Sequence, residues 1–292
     1  MAPVRADAIP QPDTAITAWS AASATEINRE TLKKAILAAD YLVIGEIHDN
    51  PHHHRLQAEL TAQFADGHGN AASVGFEQLS VEQQPLIDTF YRRGDLVAAD
   101  FGEAVNWSDS GWPDYAIYRP LFAAALQRNL PIVPLMFSSD VTRAIVRDGI
   151  GAALPEAAIT RLRPDRLLSA QEKTQLESEM QDAHCGGLPD SMLPAMVDVQ
   201  IARDAFMAYR IEQAADRAVI ITGNGHARRD RGIPAFLQRA RPDAHIVVVT
   251  LLEGSESQTA EEQIRQQATA DVTDFALLTP AHPREDPCLA FQ

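Results

Sequence analysis

Short apolar runs recur along this chain, each leading through a polar loop into residues with helical spacing, and this order constrains the fold most. Tyr41-Leu42-Val43-Ile44 is β-prone and is closed by Gly45. Asn50 can then cap a helix with Pro51 at its first position, and Leu56, Leu60 and Phe64 continue it toward Gly67. A second run, 72–76, precedes Glu77, and Ser80 with Gln83 forms a capping box for the next helix. The third run, 131–137, leads into a helix from Ser138 to Arg147 with Gly149 as its stop. The fourth, 218–223, reaches His226 and a helix over 233–240; two more strands are predicted over 245–251 and 275–279. Strands alternating with helices predict an α/β fold with a mostly parallel central sheet flanked by helices.

A helical insert over about 150–215 separates the third and fourth strands, with one helix from Ser169 to His184 and another from Ser191 to Ala215. Large insertions at strand ends often cover sites. Residues 25–292 read as a single domain, preceded by a flexible segment over 1–24. A chain of 292 residues with 46% apolar and 22% charged residues is ordinary globular material. Its formal charge of -15, without a basic stripe, argues against nucleic acid as a partner and disfavours anionic membrane surfaces. No apolar run approaches the ~20 residues of a membrane span. The two cysteines, Cys185 and Cys288, fit either one long-range disulfide or two free thiols.

In open α/β sheets ligands bind beyond the carboxyl ends of the strands. Glu46 and His48, Glu77, Ser138-Ser139-Asp140 and His226 all follow predicted strands, so one sheet edge receives polar groups from four loops. Both histidines lie in Gly-x-x-His segments, Gly45-Glu46-Ile47-His48 and Gly223-Asn224-Gly225-His226, where glycine permits sharp turning. His48, Glu77 and His226 make a ligand set for a divalent metal. Glu46, His48, Glu77 and His226 also suit general acid–base catalysis. Either histidine alone is more often a hydrogen-bonded structural residue, and Glu77 alone could equally cap a helix or pair with an arginine. Of His52, His53 and His54, adjacent on one helix, not all three can join one site. Tyr115 and Tyr118, near Trp107, read as core or as the lining of a flat apolar ligand, and His184-Cys185 as a helix-ending turn or a ligand pair. Gln200, Arg203, Asp204 and Met207 share a helix stripe whose polar members suit supporting contacts or a buried ion pair.

The segments Gly45-Glu46-Ile47-His48-Asp49-Asn50, Gly75-Phe76-Glu77-Gln78, Tyr118-Arg119-Pro120-Leu121, Gln200 with Arg203-Asp204, and Gly223-Asn224-Gly225-His226-Ala227-Arg228 together resemble the ChaN-like haem-binding uptake family. That family belongs to the Tiki and erythromycin-esterase-like superfamily, and the resemblance runs from about residue 25 to 292. It implies an α/β fold and a haem-binding protein of bacterial haem or iron uptake, with Tyr118, Tyr115 or His184 as the iron ligand. It also implies a periplasmic or outer-membrane-associated setting, membrane-anchored uptake machinery as partner, and a homodimer. The family often carries a lipid anchor, and no lipid-attachment cysteine stands near Met1. In the wider superfamily, enzymes use a Gly-x-x-His pair and a glutamate. The alternative function is therefore a hydrolase, metal-dependent or using His48, His226 and Glu77 directly.

Overall fold

The computed structural model describes residues 16–285 and Cys288. Eight strands form one sheet: β1 (Ala18–Ser20), β2 (Thr25–Ile27), β3 (Tyr41–Glu46), β4 (Ser73–Ser80), β5 (Ile132–Met136), β6 (Ala218–Gly223), β7 (Ile246–Glu253) and β8 (Phe275–Thr279). Their order across the sheet is β2-β1-β8-β7-β3-β6-β4-β5. Every pairing from β8 to β5 is parallel, while β1 pairs antiparallel with both β2 and β8. The sheet is thus mostly parallel, as the alternation of runs predicts. The β1–β2 hairpin corrects the expectation of a flexible segment through residue 24. Trp19 is buried with Leu252, Ile264 and Ala276, so this part of the segment is sheet edge. Residues 1–15 of that expectation lie outside the described residues.

The helices are α1 (Arg29–Ala38), α2 (Pro51–His68), α3 (Gln84–Arg93), α4 (Ala98–Ala104), α5 (Tyr115–Gln127) and α6 (Ser139–Asp148). They continue with α7 (Ile150–Ala153), α8 (Glu156–Leu162), α9 (Ala170–Ala183), α10 (Leu193–Ala214), α11 (Ile233–Ala240) and α12 (Ala260–Gln267). Caps set two starts as the sequence predicts: the Asn50 side chain accepts from the His52 and His53 amides, and Ser80 and Gln83 close a capping box; Ser169 and Glu172 close a further one. The insert helices α9 and α10 lie within a residue or two of their predicted bounds. Beyond α9, Cys185 is disulfide-bonded to Cys288, which ties this turn to the C-terminal region.

Alternation along the strands sorts side chains to two layers. Leu42, Ile44, Val74, Phe76, Val219 and Ile221 pack with α1 to α5 on one face. Tyr41, Val43, Ala218, Ile220 and Val248 pack with α6, α10 and α11 on the other. No described helix is long and apolar enough to cross a membrane. The first layer is centred on aromatic rings: Phe122 stacks on Phe76 at 4.5 Å and meets Phe101 at 4.8 Å and Trp107 at 5.6 Å. Phe122 is fully buried, so its truncation leaves a cavity that four elements cannot easily collapse into. Urea unfolding of Phe122→Ala is expected to show a loss of about 3–5 kcal/mol; a change below about 1 kcal/mol would contradict this packing.

Candidate functional site

The site begins where β3, β6 and β4 end. β6 is inserted between β3 and β4, with Glu46 in register with Gly223. The β4–β6 ladder stops at Phe76, and the pairing of β4 with β5 shifts between Phe76 and Ser80, so Glu77 leads off just past the last regular pair. The glycines of the two Gly-x-x-His segments have a different cause from the turning expected. Neither Gly45 nor Gly223 has a positive φ. Instead a Cβ on Gly45 would lie 2.3 Å from Asn224 Oδ1, and one on Gly223 would lie 2.8 Å from His48 Nε2. Each segment leaves room for the other, and the His48 ring fits because residue 223 has no side chain.

Glu46 closes β3 and is buried. Its Oε1 accepts from His48 Nδ1 at 2.8 Å, Gln78 Nε2 at 2.7 Å and the Tyr118 hydroxyl at 3.2 Å. Its Oε2 lies 3.0 Å from His54 Nδ1, an ion-pair contact without hydrogen-bond alignment. Burial by itself raises the carboxyl pKa, but the charge of His54 and the hydrogen bond from His48 hold it well below the usual carboxylate range. His54 donates Nε2–H to the His48 carbonyl at 3.0 Å, while its Nδ1 faces the Gln57 side-chain oxygen and Glu46. With acceptors on both nitrogens it is held as an imidazolium; burial opposes this, and Glu46 outweighs burial to raise its pKa. His53 turns the other way: its Nδ1 accepts the Ile47 amide at 2.9 Å and its Nε2 meets Thr279 Oγ1 at 3.0 Å. Burial pushes His53 down to about 4, so it stays neutral. The divergence of adjacent helical histidines follows the sequence argument.

His48 is the accessible member, its side chain 38% exposed and its ring set edge-on to Trp112 at 4.7 Å. Burial lowers its pKa, but the hydrogen bond to Glu46 and the charges of Glu46 and Glu77 raise it overall. Glu77, also buried, accepts from Thr222 Oγ1 at 2.6 Å and from the Gly223 amide at 2.8 Å through Oε2. Its Oε1 lies 3.4 Å from His226 Nε2. On the far side His226 Nδ1 lies 2.7 Å from Asp204 Oδ1, with the Gln200 side-chain amide 3.0 Å away. Burial disfavours the imidazolium, yet Glu77 and Asp204 outweigh it and push His226 up to about 9. Asp204, desolvated on α10, is pushed up to about 6. Glu46, His48, Glu77 and His226 do gather, as two linked networks: His54–Glu46–His48 and Asp204–His226–Glu77.

Sequence reasoning missed His54 as counter-ion and Gln78 as donor, while the supporting contacts or ion pair expected of the Gln200–Asp204 stripe prove to be to His226. The i,i+4 spacing of Gln200 and Asp204 on one stripe was the signal for those contacts. Among the described residues no group of three or more His, Cys, Asp or Glu is arranged to hold a metal ion. The expected metal set His48, Glu77 and His226 is therefore not supported. Tyr118 is fully buried, its hydroxyl shared between Glu46 Oε1 and the His48 carbonyl at 2.9 Å. Burial and the Glu46 charge raise its pKa far above neutrality, so it supports Glu46 instead of presenting a phenolate. The Tyr115 hydroxyl donates to the Ala98 carbonyl at 2.6 Å, and its ring covers Gly102. His184 lies apart from both tyrosines, its Nδ1 donating to the Met180 carbonyl at 2.7 Å. The three alternative iron ligands thus lie in different surroundings.

Two clefts flank the networks. A polar one of about 520 Å³ is lined by Glu77, Gln78, Ser80, Trp112, Ser138 and Ser139 among others. An apolar one of about 480 Å³ lies between α6, α9 and α10 and is lined by Leu176, Met180, Met196 and Val199 together with His184, Gln200, Arg203 and Gly225. Both volumes are of small-molecule size.

Residues 32–237 match the sequence pattern described as haem-binding uptake, Tiki superfamily, ChaN. The chain belongs to this family. Among solved structures, ChaN of Campylobacter jejuni, described with cofacially bound haem, superposes with a TM-score of 0.71 at 19% identity, covering 91% of this chain and 98% of that one. That likeness establishes the ChaN fold. An erythromycin esterase, EreC, aligns over 93% of this chain and 99% of its own at 10% identity, but its TM-score of 0.48 carries no argument. None of the curated proteins matches the chain.

In this ChaN-family site His226 links protonation to folding. Its folded pKa lies above the unfolded value near 6.5, so its contribution is complete below that value and is lost as pH rises through about 9. Asp204, raised to about 6, contributes with the same sign at lower pH. The melting temperature is therefore expected to fall between about pH 7 and about pH 9.5 as Glu77 and Asp204 lose their counter-charge. Calorimetric scans of wild type and His226→Asn check this; equal pH slopes in the two proteins would remove His226 as the cause.

Proposed function

We propose that this ChaN-family chain binds haem in bacterial haem or iron uptake or trafficking, and that the macrocycle occupies the apolar cleft between α6, α9 and α10. One observation carries the placement: the cleft combines apolar walls with groups suited to haem. Leu176, Met196 and Val199 offer apolar surface, while His184 and the thioethers of Met180 and Met196 are donors of the kind that hold haem iron. The Nδ1 hydrogen bond to Met180 fixes the orientation of the His184 ring. Arg203, partly buried at the same cleft, makes no ion pair with any described carboxylate, which leaves its charge for a carboxylated ligand. A disulfide between Cys185 and Cys288 supports an exported, periplasmic setting, since such crosslinks persist in oxidising compartments. In that setting the haem would pass to membrane-anchored uptake machinery.

Titration of the purified protein with hemin is expected to give a saturable, shifted Soret band. His184→Ala should move or weaken that band, and Tyr118→Phe should leave its position unchanged. A flat response at micromolar hemin would end the haem reading. A band that moves in Tyr118→Phe but not in His184→Ala would transfer the iron to the other layer.

A second reading, hydrolysis, is favoured by the orientation of His48. Glu46 accepts a hydrogen bond from its Nδ1, its ring is partly exposed, and the Glu77–His226–Asp204 network lies beside it. His48 would deprotonate water, and His226 would return a proton to the leaving group. This requires that His48→Ala and His226→Ala, both folded, each lower turnover of p-nitrophenyl acetate by about 100-fold or more. Wild-type-like turnover in either variant excludes it.

A further inference from the structure

In a chain of formal charge -15, carboxylates are available to almost any guanidinium, and one that lines a cleft without an ion pair is open to a ligand. Arg231 at the apolar cleft follows the common rule and pairs with Glu179. Arg203 does not. It lines the same cleft from α10, partly buried, and its Nε is shielded from solvent with no acceptor. The adjacent carboxylate, Asp204, points instead to His226 Nδ1 at 2.7 Å. Gln200, one turn earlier on α10, is directed to the same imidazole. Both polar neighbours on the stripe are thus occupied, and the Arg203 charge is left to the cleft.

A site of this composition selects an amphipathic anion. Met180, Met196 and Val199 accept an apolar body, and a guanidinium at the polar end accepts a carboxylate through charge-assisted hydrogen bonds. The field of the whole chain repels anions, so a local cation decides which end of such a ligand enters beside it. We propose that Arg203 anchors a propionate of haem and so fixes the orientation of the macrocycle in the cleft. This rests on the haem reading above and adds to it a specificity residue: Arg203 distinguishes the free diacid from its neutral esters.

The test compares hemin with hemin dimethyl ester, both in one dilute-detergent buffer, by Soret titration of the full chain. Wild type is expected to bind the ester about tenfold or more weakly than hemin, the range of one charge-assisted anchor. Arg203→Met, which keeps the apolar stem, should lose the same factor for hemin and leave ester binding unchanged. Arg203→Lys should recover part of the loss. Equal affinity of wild type for hemin and ester overturns the anchor while haem binding stands. A weak ester combined with unaltered hemin binding in Arg203→Met places the propionate elsewhere and also overturns it. No saturable response to hemin at all removes the haem reading and the anchor together. The wild-type comparison is decisive even where a variant fails to fold.

Discussion

A carboxylate buried at the end of a central strand stays ionised only if charge and donors surround it, and Glu46 is where this protein meets that demand. His54 supplies the opposite charge, while His48, Gln78 and Tyr118 supply donors. These four side chains come from α2, the loop after β3, β4 and α5. Holding one anion therefore fixes how α2 and α5 lie over the sheet edge and which way His48 faces. The same logic governs the second network, where His226 sits as a cation between Glu77 and Asp204 and ties α10 to the strand ends.

The topology makes the two networks neighbours. Because β6 enters between β3 and β4, the two Gly-x-x-His segments end side by side, each over the glycine of the other. The strand pleat then sends Glu46 and Gln78 toward the layer of α2 and α5, and Glu77 with Thr222 toward α10. One edge thus presents a polar cleft on the Trp112 side and an apolar cleft beside the insert helices. The proposed haem site and the histidine–carboxylate pairs lie on different sides of it, and the proposal rests on the apolar lining and Arg203 more than on those pairs.

Much of this was legible in the residues. Local signals act over a few positions, so the parallel strands, the caps at Asn50 and Ser80, and the insert helices could be read directly. The β1–β2 hairpin could not, because strands of three residues carry too little alternation and gain stability only by pairing with β8. The roles of Tyr118 and His184 were hidden for a different reason. Whether a tyrosine lines a cleft or supports a buried carboxylate depends on what faces it across the layer, and the partner of Tyr118 lies 72 positions away.

By itself the sequence determined the fold class, the family and the strand ends at which polar groups collect, because periodicity, caps and glycine spacing are local properties. Tertiary structure alone decided that Glu46 is compensated by His54, that the glycines serve close approach instead of turning, and that Arg203 is left without an ion pair among the described residues. These are properties of packing between distant segments, where one side chain's burial sets the charge and hydrogen bonding of another.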